Sequence, residues 1–205
     1  MCLYNINGTL YSFLDPDIFT SFSEVYMLTY MFNGQYLNAY LDFCNLDYEI
    51  WGIEEDEEGF KFSDKPDAPP PIDYSSLINV LDHKKLNAVG NNRNALSVNW
   101  YHTHSRNSEQ IKSLKNGMQN YFVNIAKGGK GSRLWTCYKD RMSWLVQPNG
   151  RYRKDFLYLN ARATNAYREC TNLAYMINRF PSVTTKAFFA SKGIEIDDDV
   201  FSLSE

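Results

Sequence analysis

The sequence contains few cysteines and no long apolar run. Its cysteines, Cys2, Cys44, Cys137 and Cys170, are neither closely paired nor spaced as metal ligands, so we expect reduced thiols. No run approaches the roughly 18 apolar residues of a membrane helix, and no signal peptide is recognisable at the start. These absences predict a soluble, cytoplasmic protein that does not enter a membrane.

Motifs for nucleotide hydrolysis are also missing. Residues 124–131 (NIAKGGKG) only partly resemble a phosphate-binding loop, because Asn124 replaces the first Gly, Gly131 replaces the magnesium-binding Ser or Thr, and a helix instead of a strand is predicted before the loop. A mobile basic loop is the simpler interpretation. No DEAD-type acidic box occurs that could hold a nucleotide's magnesium ion. We therefore expect no ATPase activity from the isolated chain, and we predict no catalytic residue, metal or cofactor.

Basic residues are nearly absent from the first part of the chain. Residues 1–78 contain 14 acidic residues but only Lys61 and Lys65, a net charge of -12. Residues 79–192 contain 19 basic and five acidic residues, a net charge of +14, and the last 13 residues are acidic again. A charge separation of this size predicts a polyanionic partner. The alternative is that the basic lobe docks on the chain's own acidic lobe.

Aromatic residues accompany the basic ones, and base-stacking surfaces require this mixture. They are Trp100, Tyr101, Tyr121, Trp135, Tyr138, Trp144, Tyr152, Tyr158 and Tyr167. We therefore expect the basic part to present both phosphate-binding and base-stacking side chains.

Apolar periodicity predicts an α/β organisation. Short apolar runs predict strands at residues 25–32, 48–53 and 77–81, with a helix at residues 35–44 and a helical segment at residues 84–89. Residues 54–71 carry EEDEE and PDAPPP, a composition that predicts an exposed connector.

The second half is predicted to be rich in helices. A helical stripe of apolar residues over 108–126 predicts an amphipathic helix that ends before the glycines at 128 and 129. Further helices are predicted over residues 134–145, 166–180 and 186–192, the last capped by Gly193, with a strand candidate at residues 156–159. Residues 202–205 (SLSE) match a capping box, which is either coincidental or the start of a further helix.

The densest group of polar side chains lies within residues 156–180. There a predicted strand leads through Asn160, Arg162, Thr164 and Asn165 into a predicted helix that carries Arg168. Backbone amides at such a helix N-terminus, together with two guanidinium groups, favour a bound phosphate. The alternative is that Asn165 or Thr164 only caps the helix and that both arginines are surface charges.

Two other motifs contain residue types that bind metals. Residues 102–104 (HTH) suit a nuclease that acts with a tyrosine such as Tyr36 or Tyr40, but the polar residues that follow favour two solvated histidines before a helix. Residues 197–199 (DDD) resemble a cation site only in charge and are predicted to form a solvated loop.

The block at residues 160–180 (NARATNAYRECTNLAYMINRF) resembles the C-terminal part of a family of DEAD/DEAH-type helicase-like proteins carried by phages and mobile elements of Gram-positive bacteria. The stretches SRLWTCYKDRMSWL, ALSVNWY, KAFFASKGIEIDDDVFSLSE, SFSEVYMLTYMFNGQYLNAYLDF and INVLDHKKLNAVG share the resemblance, which covers most of the chain. The nucleotide-binding loop, the acidic box and the arginine-bearing helix that follows in the family are absent.

This resemblance implies an α/β fold with an incomplete RecA-like helicase architecture, built on a mixed or parallel sheet with a helix-rich basic C-terminal half. Residues 1–53 would end a first RecA-like lobe, residues 54–76 would form an acidic, Pro-rich connector, and residues 77–205 would form a truncated second lobe.

Resemblance and charge together predict a helicase-derived phage protein that binds nucleic acid, expected to be DNA, or a nucleoprotein partner in the host cytosol. The predicted contact residues are Arg162, Asn165, Arg168, Arg179, Arg133, Trp135 and Lys139. The main alternative is a phage accessory or inhibitor that binds a host protein, with the acidic segment at residues 54–73 imitating DNA. A third hypothesis is a subunit that supplies half of an ATP site to a partner.

Overall fold

The computed structural model describes residues 2–6, 8–64, 74–161 and 164–204. The strands are β1 (Cys2–Ile6), β2 (Thr9–Phe13), β3 (Gly52–Asp56), β4 (Gly59–Ser63), β5 (Arg133–Thr136) and β6 (Asn172–Tyr175). The α-helices are α1 (Asp17–Thr20), α2 (Tyr36–Phe43), α3 (Lys84–Asn87), α4 (Val98–Thr103), α5 (Glu109–Asn120), α6 (Met142–Leu145), α7 (Val183–Ala190) and α8 (Asp198–Ser204). Single 3-10 turns lie at Phe32–Gly34, Tyr74–Ser76, Ala88–Asn91, Lys139–Arg141 and Arg153–Asp155, and a π turn lies at Tyr121–Ile125.

The chain forms two compact units. The first unit comprises Met1–Leu81 and Phe180–Glu205, and the second comprises Asp82–Arg179. The predicted division at residues 53 and 76 concerns the lobes of a helicase ancestor and stays a prediction. Over the described residues, no helix is long and apolar enough to cross a bilayer.

Aromatic side chains form the core of the first unit. Phe13 of the antiparallel β1–β2 hairpin packs against Phe188 of α7, with ring centroids 5.1 Å apart, and against Phe43 of α2 at 5.9 Å. Phe188 and Phe189 are 0% and 1% exposed. Because aromatic rings bury large apolar areas, this cluster holds together elements that are individually too short to be stable.

Two helices predicted in the first unit are confirmed. The helix predicted at residues 35–44 is α2, and the one predicted at residues 186–192 is α7, which begins slightly earlier. Gly193 follows α7 with φ +80°, and the amide of Ile194 donates to the Phe189 carbonyl at 3.0 Å. The left-handed backbone at Gly193 therefore terminates the helix, as the sequence predicts.

The acidic run at residues 197–199 starts a helix. The Asp197 carboxylate accepts hydrogen bonds from the amides of Asp199 and Val200 at 2.8 and 2.9 Å, as an N-cap residue does. Asp198 pairs with Lys186 of α7 at 2.6 Å. The predicted solvated loop is therefore wrong, because free amides at a helix start favour carboxylates.

Of the two interpretations of residues 202–205, the described residues support a coincidental match to the capping box, because Ser202 does not start a helix. Ser202 lies inside α8, and its hydroxyl donates to the Asp198 carbonyl at 2.7 Å. Phe201, one residue earlier, is 4% exposed and its ring lies 4.9 Å from that of Tyr36. Helix α8 is therefore docked on the first unit by an aromatic contact.

Two strands predicted in the first unit are wrong. Residues 25–32 and 77–81 form no strand, and Leu28 and Val80 are 84% and 83% exposed. An apolar run becomes β-structure only when a neighbouring strand pairs with it, and no described segment does so here.

A β-hairpin replaces the strand predicted at residues 48–53 and the first part of the predicted connector. β3 and β4 pair antiparallel, with Ile53 opposite Phe62 and Glu55 opposite Phe60. The run EEDEE therefore belongs to a strand and its turn. Residues 65–73, which contain the proline-rich part of the predicted connector, lie outside the described residues.

The amphipathic helix predicted at residues 108–126 is confirmed as α5 and the π turn after it. The Ser108 hydroxyl accepts a hydrogen bond from the Ile111 amide at 3.4 Å and caps the helix. Ile111, Leu114, Met118 and Phe122 recur at helical spacing and are buried in the core of the second unit. The helical segment predicted at residues 84–89 is likewise confirmed, by α3 and the 3-10 turn that follows.

A small parallel sheet crosses this core. β5 pairs parallel with β6, and Trp135 forms a parallel bridge with Phe156 on the other side. β5 is therefore the central segment of three, and helical turns lie on the connection from β5 to Phe156. Parallel strands joined in this way confirm the predicted α/β class.

The helix predicted at residues 166–180 is wrong. Residues 166–169 form a turn and β6 follows; Leu173 and Tyr175 face outward while Ala174 and Met176 are more buried, a period of two residues. The helix predicted at residues 134–145 is wrong in its first part, which belongs to β5, and only Met142–Leu145 is α-helical. The strand candidate at 156–159 makes only the bridge at Phe156. In these segments backbone pairing decided the structure over local helical propensity.

A substitution at Gly34 tests whether α8 packs against this residue. A Cβ at this position would lie 2.8 Å from the Val200 carbonyl carbon and 3.0 Å from Ser204 Cβ. Gly34→Ala should therefore displace α8 and lower the free energy of unfolding in urea by about 1–3 kcal/mol, as overpacking does. Gly90→Ala is the matched control, because nothing lies within 4 Å of the added Cβ, and it should change stability by less than about 0.5 kcal/mol. Equal stability of both variants would contradict the contact.

Candidate nucleic-acid interface

Arg133, predicted to clamp phosphate, lies inside the second unit. Its side chain is 3% exposed, and its Nε lies 3.3 Å from Asp155 Oδ2. The guanidinium group lies over the rings of Tyr152 and Phe122, 5.1 and 6.0 Å from their centroids. A buried cation that already has a carboxylate partner does not reach a phosphate in solvent, so this prediction is wrong.

Trp135, predicted to stack on bases, is also buried. It is 0% exposed, its indole N–H donates to the Tyr152 carbonyl at 2.7 Å, and its ring meets the edge of Phe156 with centroids 4.8 Å apart. The prediction is wrong because β5 is the central strand, whose side chains are covered on both faces.

Over its described residues, the polar segment at residues 160–168 contains no helix N-terminus. Arg162 lies outside the described residues. Asn165 and Arg168 are exposed in a turn, where the Arg168 amide donates to the Asn165 carbonyl at 3.3 Å and the guanidinium group pairs with Glu169 at 3.3 Å. The helix-terminal phosphate site is therefore wrong, and nucleic-acid contact by Asn165 and Arg168 stays a prediction.

Lys139 and Arg179 lie where the parallel segments end. Parallel strands place their carboxyl ends at one edge of a sheet, and α/β proteins commonly bind ligands there. We call this region the carboxyl edge. It comprises the residues that end or follow the three segments: Tyr138, Lys139, Tyr158, Tyr175 and Arg179.

Cations adjoin aromatic rings along the carboxyl edge. The Lys139 ammonium group lies 5.8 Å from the centroid of the Tyr158 ring. Burial raises the pKa of both Tyr138 and Tyr175, and the nearby positive charge of Arg179 opposes that shift in each case. Tyr158 and Tyr175 are 43% and 58% exposed, so both rings are accessible from solvent. The edge therefore presents cations and aromatic faces together.

Hydrogen bonds hold part of this edge in place. The Tyr138 hydroxyl donates to the Asn178 carbonyl at 2.9 Å, and the Asn178 amide donates to the Leu96 carbonyl at 3.0 Å. The residue before Arg179 is thus tied to the rest of the second unit, which limits the positions that the Arg179 side chain can reach.

The sequence alone does not identify Tyr175 as a residue of the carboxyl edge. The helix predicted over 166–180 gives no reason to separate this tyrosine from its neighbours. Residues 172–176 (NLAYM) show no polar–apolar alternation in sequence, so the outward direction of Tyr175 becomes visible only in the exposure pattern of the strand.

The surface of the second unit is strongly basic. Asp155 is buried with Arg133, which removes both from the surface charge. The exposed basic residues are Lys84, Lys85, Arg93, Arg106, Lys112, Lys127, Lys130, Lys139, Arg151, Arg153, Lys154 and Arg168, whereas the exposed acidic ones are Asp82, Glu109, Asp140 and Glu169. Such an excess produces a positive field that attracts polyanions.

The two histidines of residues 102–104 make local contacts. His102 Nδ1 lies 3.0 Å from an Arg141 guanidinium nitrogen, and His104 Nδ1 lies 2.7 Å from the Trp100 carbonyl oxygen. The His104 ring also stacks on the Trp100 indole, with centroids 4.2 Å apart. His102 belongs to helix α4, so the strand that the nuclease hypothesis requires is not formed. Over the described residues, no group of three His, Cys, Asp or Glu side chains could hold a metal ion.

Substitution of Arg133 tests how much the buried Arg133–Asp155 pair contributes to the free energy of unfolding. Arg133→Met should lower the free energy of unfolding by about 3–5 kcal/mol, because it leaves a buried carboxylate unpaired. Arg168→Met, an exposed arginine that pairs with Glu169 on the surface, should cost less than about 0.5 kcal/mol. Chemical denaturation measures both. If Arg133→Met is as stable as Arg168→Met, the pair is not buried as described.

Comparison with known proteins places the chain in a family. Residues 72–205, which include the whole second unit, match the YonV C-terminal Rossmann-like domain. The chain is 36% identical, over 211 aligned positions and its full length, to a Bacillus subtilis (strain 168) protein described as "SPbeta prophage-derived uncharacterized protein YonV". The alignment covers 49% of that relative, so the chain spans about half of its length. No solved structure matches the chain significantly. Since the matched region also contains the parallel strands expected of a Rossmann-like fold, the chain belongs to the phage-derived α/β family of the YonV C-terminal Rossmann-like domain.

Proposed function

We propose that this protein binds nucleic acid through the carboxyl edge of its second unit and catalyses no reaction on its own. The observation that carries the proposal is the placement of Lys139 beside the exposed Tyr158 ring and of Arg179 near Tyr138 and the exposed Tyr175. The edge lies at the position in the fold where Rossmann-like domains commonly bind ligands.

The chemistry of this edge suits a nucleic-acid strand. Ammonium and guanidinium groups neutralise phosphates, and an exposed aromatic ring offers a face on which a base stacks. The exposed cations elsewhere on the second unit would extend the contact along the phosphate backbone and accelerate association.

A helicase ancestry is part of the proposal. The family resemblance of residues 160–180 and the lack of a nucleotide-binding loop and acidic box together favour a helicase-derived protein that keeps a binding surface without a motor. In this hypothesis the protein acts in the cytosol of the phage's host, on DNA or on a nucleoprotein complex.

Nucleic-acid binding should weaken steeply with salt. We expect a log-log slope of about -3 to -6 for single-stranded DNA, corresponding to some four to eight phosphates. Lys139→Gln with Arg179→Gln should weaken binding at every salt concentration and make the slope on single-stranded DNA shallower by about 1.4. Fluorescence anisotropy with labelled single-stranded DNA, double-stranded DNA and RNA measures both quantities.

Lys154→Gln provides a control within the same experiment. Lys154 is exposed but precedes Phe156, so it lies before the segment's amino end and not at the carboxyl edge. The control removes one charge and the double variant removes two, so the control should lose less than half as much binding free energy. Equal losses per charge removed would show that binding depends on charge alone, and absence of binding to all three probes at about 50 mM salt would overturn the proposed function.

The β3–β4 hairpin favours a second candidate function, the binding of a host protein. Ile53, Phe60 and Phe62 share one face of the hairpin with Glu55 and are 57%, 72% and 64% exposed. An apolar face of this kind on a two-stranded sheet is uncommon without a covering partner. The acidic side chains at residues 54–58 (EEDEE) lie next to this face. They would attract a basic surface, such as that of a host protein that handles nucleic acid.

Substitutions in the hairpin separate this candidate from the first. Phe60→Ser with Phe62→Ser should abolish retention of a host protein partner in a pull-down and leave nucleic-acid binding unchanged. Leu10→Ser is the control, since Leu10 is 66% exposed on the other antiparallel hairpin, and it should retain the partner. Glu55→Gln with Glu57→Gln should weaken the same partner if imitation of DNA contributes. Loss of nucleic-acid binding in the hairpin variants would instead place the hairpin in the first function.

A further inference from the structure

A groove on the second unit contains no residue of the carboxyl edge. It has a volume of about 340 Å³ and lies between one face of α5, continued by the π turn, and the chain at residues 145–152. Lys115, Gln119 and Val123 line the helical side, at intervals of one helical turn. The volume is at the lower end of the range for small-molecule sites, which suits a ligand of the size of one nucleotide.

The rim of the groove carries cations without anions. Lys115 and Arg151 line it, and neither has an acidic partner within the described residues. Outside the lining, the Arg106 guanidinium group donates to the side-chain oxygen of the lining residue Gln147 at 3.5 Å. Among the residues that the structure describes, no acidic side chain lines the groove. Two positive charges at one opening without a carboxylate favour an anion of more than one negative charge.

The walls of the groove are apolar and neutral polar. Leu145 and Val146 form a floor that is 0% and 5% exposed, and Val123 is 48% exposed beside it. The carboxamides of Gln119 and Gln147 can each donate and accept hydrogen bonds. These walls would contact an apolar ring with polar atoms at its edge.

The backbone comes close to the floor at Gly150. A Cβ there would lie 2.9 Å from Val146 Cγ1 and 3.0 Å from the Gln147 carbonyl oxygen. The turn at residues 147–150 is therefore packed tightly against the floor, which fixes the position of Arg151 relative to it.

We propose that this groove binds a phosphate monoester attached to a small, largely apolar ring system. The phosphate would lie between Lys115 and Arg151, and the ring would lie against Val123 and the floor. A phosphate monoester carries a charge of about -1.5 to -2 at neutral pH, which matches a rim of two cations. A free nucleoside monophosphate and the 5′-phosphorylated end of a nucleic-acid strand share this chemistry.

Calorimetric titration of the full chain tests the proposal with AMP and UMP as probes. Both should bind with a Kd below about 1 mM. Adenosine lacks the phosphate and inorganic phosphate lacks the ring, so each should bind at least about tenfold more weakly than AMP. Absence of AMP and UMP binding would overturn the proposal, and so would adenosine or inorganic phosphate binding as tightly as AMP.

Variants locate the binding in the groove. Lys115→Gln with Arg151→Gln should weaken AMP binding at least about tenfold. Lys112→Gln is the matched control, because Lys112 lies on the same helix, is exposed and pairs with Glu109 at 2.8 Å; it should leave the Kd unchanged. Both substituted residues of the double variant line an open groove and not the core, so the variant should fold. AMP binding that is unchanged in the double variant would overturn the assignment to this groove.

Competition distinguishes the two sources of the phosphate. A short oligothymidylate with a 5′-phosphate that displaces AMP, while its 5′-hydroxyl counterpart does not, assigns the groove to strand ends. Failure of both oligonucleotides assigns it to free nucleotides. Equal displacement by both would overturn the proposal, because the terminal phosphate would then not be recognised. Since Lys139→Gln with Arg179→Gln should leave AMP binding unchanged, failure of the carboxyl-edge function and failure of this site give different results.

Discussion

The pairing of β5 with a neighbour on each side is the constraint on which the second unit depends. The Trp135 carbonyl accepts the Leu157 amide at 2.9 Å, and the Thr136 carbonyl accepts the Met176 amide at 3.0 Å. These hydrogen bonds set the register of the three parallel segments, so the three segments end at the same edge of the sheet. The cations and aromatic rings of the carboxyl edge come from segments that are distant in sequence. This shared register is what brings them together.

The buried Arg133–Asp155 pair connects this sheet to the electrostatics of the surface. Arg133 begins β5 and Asp155 precedes Phe156, so the pair joins the central segment to its neighbour. A buried ion pair adds little net stability over an apolar replacement, but the loss of one partner is costly. Two charges are therefore neutralised inside the unit, and the positive surface arises from lysines and arginines on loops and helix faces.

The sequence predicts the helices of this protein better than its strands. α2 and α5 follow from apolar residues at helical spacing, a signal that a segment carries within itself. β5 and β6 have only four residues each, and a short apolar run suits either a strand or a helix until a partner pairs with it. Lys139 after β5 is exposed, whereas Arg133 and Trp135 within β5 are buried, and this difference depends on the pairing of β5 on both sides.

The sequence by itself determines the separation of charge along the chain and the positions of α2 and α5, because both are properties of composition and local periodicity. Only the tertiary structure decides which cations meet solvent, which of them adjoin an aromatic ring, and that Lys115 and Arg151 share a groove. These relations depend on pairing between segments 20 to 40 residues apart. Long-range backbone pairing and the burial that accompanies it are cooperative, and no local pattern encodes them.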